Sequence, residues 1–268
     1  MASTKRKGNC KLCGTFGELT FEHLPPESAF NDKRILLHSL RYIQDESYRI
    51  ARKTPKRRLP RGLGDYTLCG RCNSRTGSWY GSDYATWAQQ AMSYLDAVHT
   101  SQVIYVAFRI RPLNVLKQIV SMGLSGSTSG SMTHPDLARF VLNRKSRSFP
   151  HGYGCYSYLT NKKSEARYCT EMAMMNVETG TMDHVLREVA LPPLGCVLLK
   201  EARRRPFEIS GDNLCLVNFF ANYDFDQLAT VYLKIPAHRI WSPTPLDYRK
   251  VGYAFTNQFM NTDMERRF

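Results

Sequence analysis

The chain has 268 residues, 43% of them hydrophobic, enough for two domains or one large one with a packed core. Lysine and arginine outnumber aspartate and glutamate by 37 to 23, a formal charge of +14 that favours a polyanionic partner, most often nucleic acid. No run approaches a membrane span, which speaks against a membrane protein and for a cytoplasmic one, and eight cysteines are too few for a disulfide scaffold of this length.

Residues 1–9 read as a mobile basic arm. Cys10-x-x-Cys13 and Gly14 form a knuckle, and Glu18 to His23 alternates as a short strand that Pro25-Pro26 ends. Over residues 33–52, Ile35, Leu36, Leu40, Ile43 and Ile50 recur at helical spacing among basic residues, which predicts a helix. The segment 52–62 follows, with six of eleven residues basic: Arg52, Lys53, Lys56, Arg57, Arg58 and Arg61. Its two prolines keep it out of a helix, and it reads as a loop able to contact phosphates. A plain solvated surface has the same composition.

Cys69-x-x-Cys72-Asn73 is the second knuckle. Beyond it, Trp79, Tyr80, Tyr84, Trp87, Ala88, Ala91 and Leu95 fall on one helical face, read as packing surface rather than a base-stacking platform. Val103 to Ile110 is β-prone, and Pro112 opens a helix to Met122. Residues 123–133, rich in Gly and Ser, read as a flexible loop, and Pro135 to Leu142 as another helix. Strands are expected at Gly154–Leu159, Arg167–Val177, Val185–Leu191, Gly195–Leu199, Leu214–Phe219 and Thr230–Ile235. Cys155, Cys169, Cys196 and Cys215 lie among apolar neighbours and read as reduced core residues.

Two Cys-x-x-Cys pairs joined by a turn-rich segment can set four thiolates around one tetrahedral zinc. Cys10, Cys13, Cys69 and Cys72 are therefore the expected ligands of a structural Zn²⁺. Between the pairs stands Leu19-Thr20-x-Glu22-His23-x-x-Pro26, and the second pair reads Leu68-Cys69-x-x-Cys72-Asn73. This arrangement resembles the zinc-stabilised HNH endonucleases of the ββα-metal (His-Me finger) class, over about the first third of the chain.

The resemblance implies an α+β protein with an N-terminal ββα-metal (HNH-like) unit, residues 1–99, stabilised by zinc on four cysteines and carrying a basic insertion. Beyond the reach of the resemblance, the helices and strands read from the residue pattern make 100–268 a mixed α+β domain with a mostly antiparallel sheet, expected to serve recognition, oligomerisation or regulation. The resemblance implies His23 as general base, and Glu22 and Asn73 as oxygen ligands of a catalytic Mg²⁺ or Mn²⁺. The activity it implies is hydrolysis of phosphodiester bonds, in DNA in preference to RNA, with a place in microbial genome defence or a mobile element. A double-strand break would need a homodimer.

The chain departs from the family at two points. The asparagine that orients the base histidine is replaced by Gly64, with Asp65 beside it as a substitute, and the gap from His23 to Cys69 is long. Asn73 also suits a helix N-cap. A competing reading is a zinc module that binds nucleic acid without cutting it. A weaker one is a ligand sensor, resting on the Gly/Ser segment alone.

Overall fold

The computed structural model describes residues 6–38, 56–95, 103–126, 135–160, 166–176, 181–201, 215–236, 253–254 and 260–264. Strands and helices are mixed, and every ladder between named strands is antiparallel. No helix among the described residues is long and apolar enough to cross a membrane.

A three-stranded sheet opens the chain. Strand β1 (Arg6–Asn9) pairs with β2 (Phe16–His23), and β2 pairs with β5 (Gly64–Cys69). The basic arm thus gives way to strand at Arg6. Helix α1 (Gly70–Thr76) leaves β5 directly, a π-turn over Gly77–Gly81 follows, and α2 (Ser82–Leu95) continues the same rod. The aromatic face of that rod is interior: Tyr80, Tyr84 and Trp87 are buried, and the Tyr80 hydroxyl donates to the Val141 carbonyl at 2.7 Å.

Residues 33–38 overturn the helix expected over 33–52. Ile35–His38 is strand β3, and Lys56–Leu59 pairs with it as β4. An apolar Ile-Leu-Leu run satisfies strand pairing as well as helical spacing, and pairing on both edges decides it. Residues 39–52 lie outside the described residues, as do Arg52 and Lys53 of the basic segment. The part of that segment which is described is therefore an edge strand, ended by Pro60.

The other members of the large sheet are β7 (Tyr153–Leu159), β8 (Arg167–Asn176), β9 (Thr181–Leu191), β10 (Leu194–Glu201), β12 (Tyr253–Ala254) and β13 (Met260–Met264). Its order is β4-β3-β13-β8-β9-β10-β7, with β12 beside β8. A separate ribbon pairs β6 (Val103–Ile110) with β11 (Ala229–Pro236). Side chains from α2 cap the outer edge of β6, where Gln90 exchanges two hydrogen bonds with the Arg109 backbone and the Tyr94 hydroxyl reaches the Ala107 carbonyl. This removes a strand edge that would otherwise invite pairing.

Helix α3 (Pro112–Ser125) is buried along its whole length and lies between the small sheet and the large one. It runs past Met122, so Gly123–Ser125 are helix and not loop. Gly123 is there for packing: a Cβ would stand 2.6 Å from Leu198 Cδ2 and 2.9 Å from its Cβ. Helix α4 (Pro135–Leu142) forms as expected, and Lys117 of α3 caps its end by donating to the Phe140 and Asn143 carbonyls. The strand expected at Leu214–Phe219 is a short helix, α5 (Val217–Phe220), which turns Phe220 into the core and leaves Phe219 exposed. Cys155 and Cys196 are free and buried, as core cysteines should be. One apolar cluster connects Cys10 and Leu12 at the start of the chain with Leu233 and Ile235 near its end.

Candidate metal centre and the histidine beside it

The four cysteines converge. Their sulfurs all lie within 4.8 Å of one another, with Cys13 Sγ and Cys69 Sγ at 3.8 Å. Four thiolates at about 2.3 Å from a shared zinc stand roughly 3.8 Å apart, so this cluster fits a metal such as zinc. The first knuckle owes its shape to backbone bonds. Gly14 N donates to Cys10 O at 2.8 Å, Cys10 N donates to Thr15 O at 3.0 Å, and Gly14 takes the positive φ (74°) that the reversal needs. Lys11 N ties the knuckle to Thr67 O of β5 at 3.0 Å. The second knuckle is the junction of β5 and α1, with Cys69 as the helix N-cap.

The thiols differ in acidity. Burial would raise Cys13, but hydrogen bonds from Thr15 outweigh it and bring the thiol down to about 6. Burial pushes Cys10 and Cys72 up, and Cys72 also faces the charge of Cys10. Metal binding displaces protons from such groups, so affinity for the ion falls as the pH falls.

His23 ends β2, half-exposed, and its Nε2 lies 2.7 Å from the Arg61 carbonyl oxygen. A carbonyl can only accept, so Nε2 carries the proton and Nδ1 of the neutral ring keeps a lone pair. Gly64 sits opposite His23 in the ladder, where a Cβ would run into the Glu22 carbonyl oxygen and stand 2.7 Å from the Phe21 ring. No larger residue fits there without displacing the strand. Asp65 accepts from its neighbour Tyr66 N at 2.8 Å and lies 3.6 Å from Arg6.

The 61–63 turn that carries the carbonyl is fixed by Asn31, a residue that no motif in the sequence singles out. Asn31 is buried. Its side-chain amide donates to Pro25 O (2.6 Å) and Leu63 O (2.7 Å), and its side-chain oxygen accepts from Leu63 N (2.7 Å). Gly62 packs on it so closely that a Cβ would run into the Asn31 backbone carbonyl.

Glu22, one residue before His23, points to the opposite face of β2 and is buried. Its Oε2 accepts from Thr67 Oγ1 at 3.1 Å and from Ser125 Oγ at 2.5 Å. Burial raises its carboxyl to about 7, against the lowering effect of the two hydroxyls. Asn73 lies within α1 rather than at its cap. Its amide nitrogen donates to Thr20 Oγ1 and Phe21 O, both at 3.0 Å, so the helix is pinned to β2. That leaves Asn73 Oδ1 without a hydrogen bond among the described residues.

On its outer face, β2 presents Phe21 and His23, with Tyr66 opposite Phe21 on β5. The three rings contact edge to face, 5.0 Å between Phe21 and His23 and 5.5 Å between Phe21 and Tyr66. Of the basic segment, Arg58 and Arg61 are exposed, and Arg61 lies over the Phe21 ring. Basic side chains on an edge strand such as β4 also guard it against pairing with other chains, which is an ordinary reason for this composition. Comparison with family models, with curated proteins and with solved structures returned no match to the chain.

Proposed function

We propose that the chain is a metal-dependent endonuclease of the HNH type, acting on DNA. The observation that carries this reading is the state of His23: one ring nitrogen is committed to the Arg61 carbonyl and the other is left as a proton acceptor on a half-exposed strand end. Hydrolysis of a phosphodiester needs a water to lose a proton as it attacks phosphorus, and His23 Nδ1 would take that proton. The carbonyl on Nε2 would keep the ring from turning. The four cysteines, tying the ends of β1 and β5 to α1, would hold His23 and Asn73 at a fixed separation.

Asn73 Oδ1 is the oxygen left to hold a divalent ion, a hard donor suited to Mg²⁺ or Mn²⁺; Glu22, the other ligand the resemblance implies, is buried on the face of β2 opposite His23 and would have to leave Thr67 and Ser125 to join it. Such an ion, when bound, would neutralise charge on the phosphoryl and leaving oxygens. A role in genome defence or in a mobile element follows from the resemblance alone.

One observation favours the second reading, a nucleic-acid-binding module without catalysis. The Glu22 carboxylate has a structural occupation, joining β2 to Thr67 and to Ser125 of α3, so a scaffold has its own use for an acid there. Plasmid nicking by zinc-loaded protein with Mg²⁺ or Mn²⁺, beside His23→Ala with matched zinc content and folding, separates the two. The nuclease reading expects cleavage that falls at least about 100-fold in the variant. Equal cleavage by both proteins removes His23 as base, and binding without cleavage by either selects the module.

A further inference from the structure

The outer face of the small sheet carries more than the histidine. Arg61 Cζ lies 5.1 Å from the centroid of the Phe21 ring, and Arg6 Cζ lies 4.6 Å from that of Tyr66. Both arginines are exposed, and both rings belong to the row that ends at His23. Arg6 reaches its ring from β1, across the width of β2, because the sheet order is β1-β2-β5. The two guanidiniums therefore come from opposite sides of the sheet onto one line of aromatics.

A guanidinium lying on a ring face loses little further freedom when it binds, and its N–H edge stays open to a phosphate. Such a pair is better prepared than two free surface arginines, which give up rotamer entropy on contact. Asp65, 3.6 Å from Arg6, holds that side chain in place but stands at the sheet rim and is itself partly exposed. The chain's charge of +14 supplies the attraction that brings a polyanion to this face.

The geometry points to Arg6–Tyr66 and Arg61–Phe21 as a phosphate rail that seats the DNA backbone along the row leading up to the phosphate presented to His23. This rests on the nuclease reading only for which phosphate that is, since the rail itself is a binding site. It is sequence-independent, made to backbone and not to base edges. The basic segment's last basic residue, Arg61, has two separable parts in it: the guanidinium binds phosphate and the carbonyl holds the imidazole.

The test measures affinity for a duplex DNA oligonucleotide against salt, by anisotropy, with zinc-loaded full-length protein and no added Mg²⁺ or Mn²⁺. Arg6→Ala and Arg61→Ala should each flatten the slope of log K against log salt by about 1, one phosphate contact apiece. Arg61→Ala keeps the backbone carbonyl, so zinc content and the His23 imidazole resonances should match the parent. Phe21→Leu keeps both charges and should weaken binding severalfold with a smaller change of slope. Arg139→Ala, an exposed arginine paired to Asp136 on α4, is the control and should leave the slope unchanged.

An unchanged slope in either rail variant overturns the proposal, as does an equal fall in Arg139→Ala, which would mean diffuse charge. Stronger binding of the matching RNA duplex, with the slopes moving on RNA alone, overturns the DNA assignment. The expected slopes together with no cleavage under Mg²⁺ or Mn²⁺ would sink the nuclease reading and leave the rail standing. Cleavage with unmoved slopes would do the reverse.

Discussion

Strand β2 and helix α3 meet at the Glu22–Ser125 hydrogen bond, and on either side of it the molecule is held together differently. On the α3 side, all fourteen helix residues are buried, and the strands β9 and β10 against it are buried over most of their length. On the β2 side there are three short strands, a seven-residue helix and a few core residues such as Leu12, Leu24, Leu63 and Leu68. A unit that small cannot fix its shape by burial. It uses specific atoms instead: four sulfurs, the amide of Asn31 and the amide of Asn73. The difference teaches where fragility sits. In the thick region many contacts share the load, whereas in the thin one a single side chain can decide whether His23 is presented at all.

The sharpest way to break this contrast is to deprive the four sulfurs of the metal they can hold. Cys72→Ser, or chelation, should abolish stoichiometric zinc and unfold the β1-β2-β5 unit, a loss on the order of 10 kcal/mol for structural sites of this kind. Metal analysis beside thermal unfolding checks it. Retention of a full transition in a zinc-free variant would show that the unit holds itself.

A smaller effect belongs to the thick region. Burial pushes Lys117 down from 10.5 to about 7, while its donation to two carbonyls at the end of α4 acts the other way. Between pH 7 and about 10.5 the unfolded chain then binds a proton that the folded chain does not, so stability rises with pH across that window. Below about 7 both states are protonated, and Lys117 no longer makes stability change with pH. Urea unfolding at several pH values should give this slope, and Lys117→Met should flatten it; a slope that survives the substitution belongs to another group.

The smallest effect concerns the join itself. Ser125→Ala removes one of two hydroxyls on Glu22 and should cost about 1–2 kcal/mol, with Thr67 still in place. Its interest is in what else moves: the His23 imidazole resonances should shift although Ser125 stands on the other side of β2. Unmoved resonances would mean that the two regions are mechanically independent there.

The four cysteines were legible because their meaning lies in residue type and spacing. Cys10, Cys13, Cys69 and Cys72 come together from distant parts of the chain as two short spacings suggest. The strand Val103–Ile110 and the helix Pro135–Leu142 follow from local pattern, a β-branched run in one case and an N-terminal proline in the other. What stayed hidden depends on partners far away in sequence. Ile35–His38 is a strand because β4 and β13 lie on either side of it. Strand β5 opens with Gly64, where the resemblance expects an asparagine, and the glycine is there because β2 passes too close for a side chain. Gly123 resembles a helix end and is instead a contact with Leu198. The Asn31 clamp has no motif at all, since its three bonds go to backbone.

The group that holds His23 in its tautomer is the carbonyl of residue 61, and a peptide carbonyl survives every change of codon at that position. Mutation at 61 can alter the charge of the surface without touching the proton on Nε2. The heritable weak points of the arrangement are displaced to Gly62 and Asn31, whose identities set the path of the turn. A chain built this way can drift in its basic residues, and so in its surface charge, while the imidazole stays as it is.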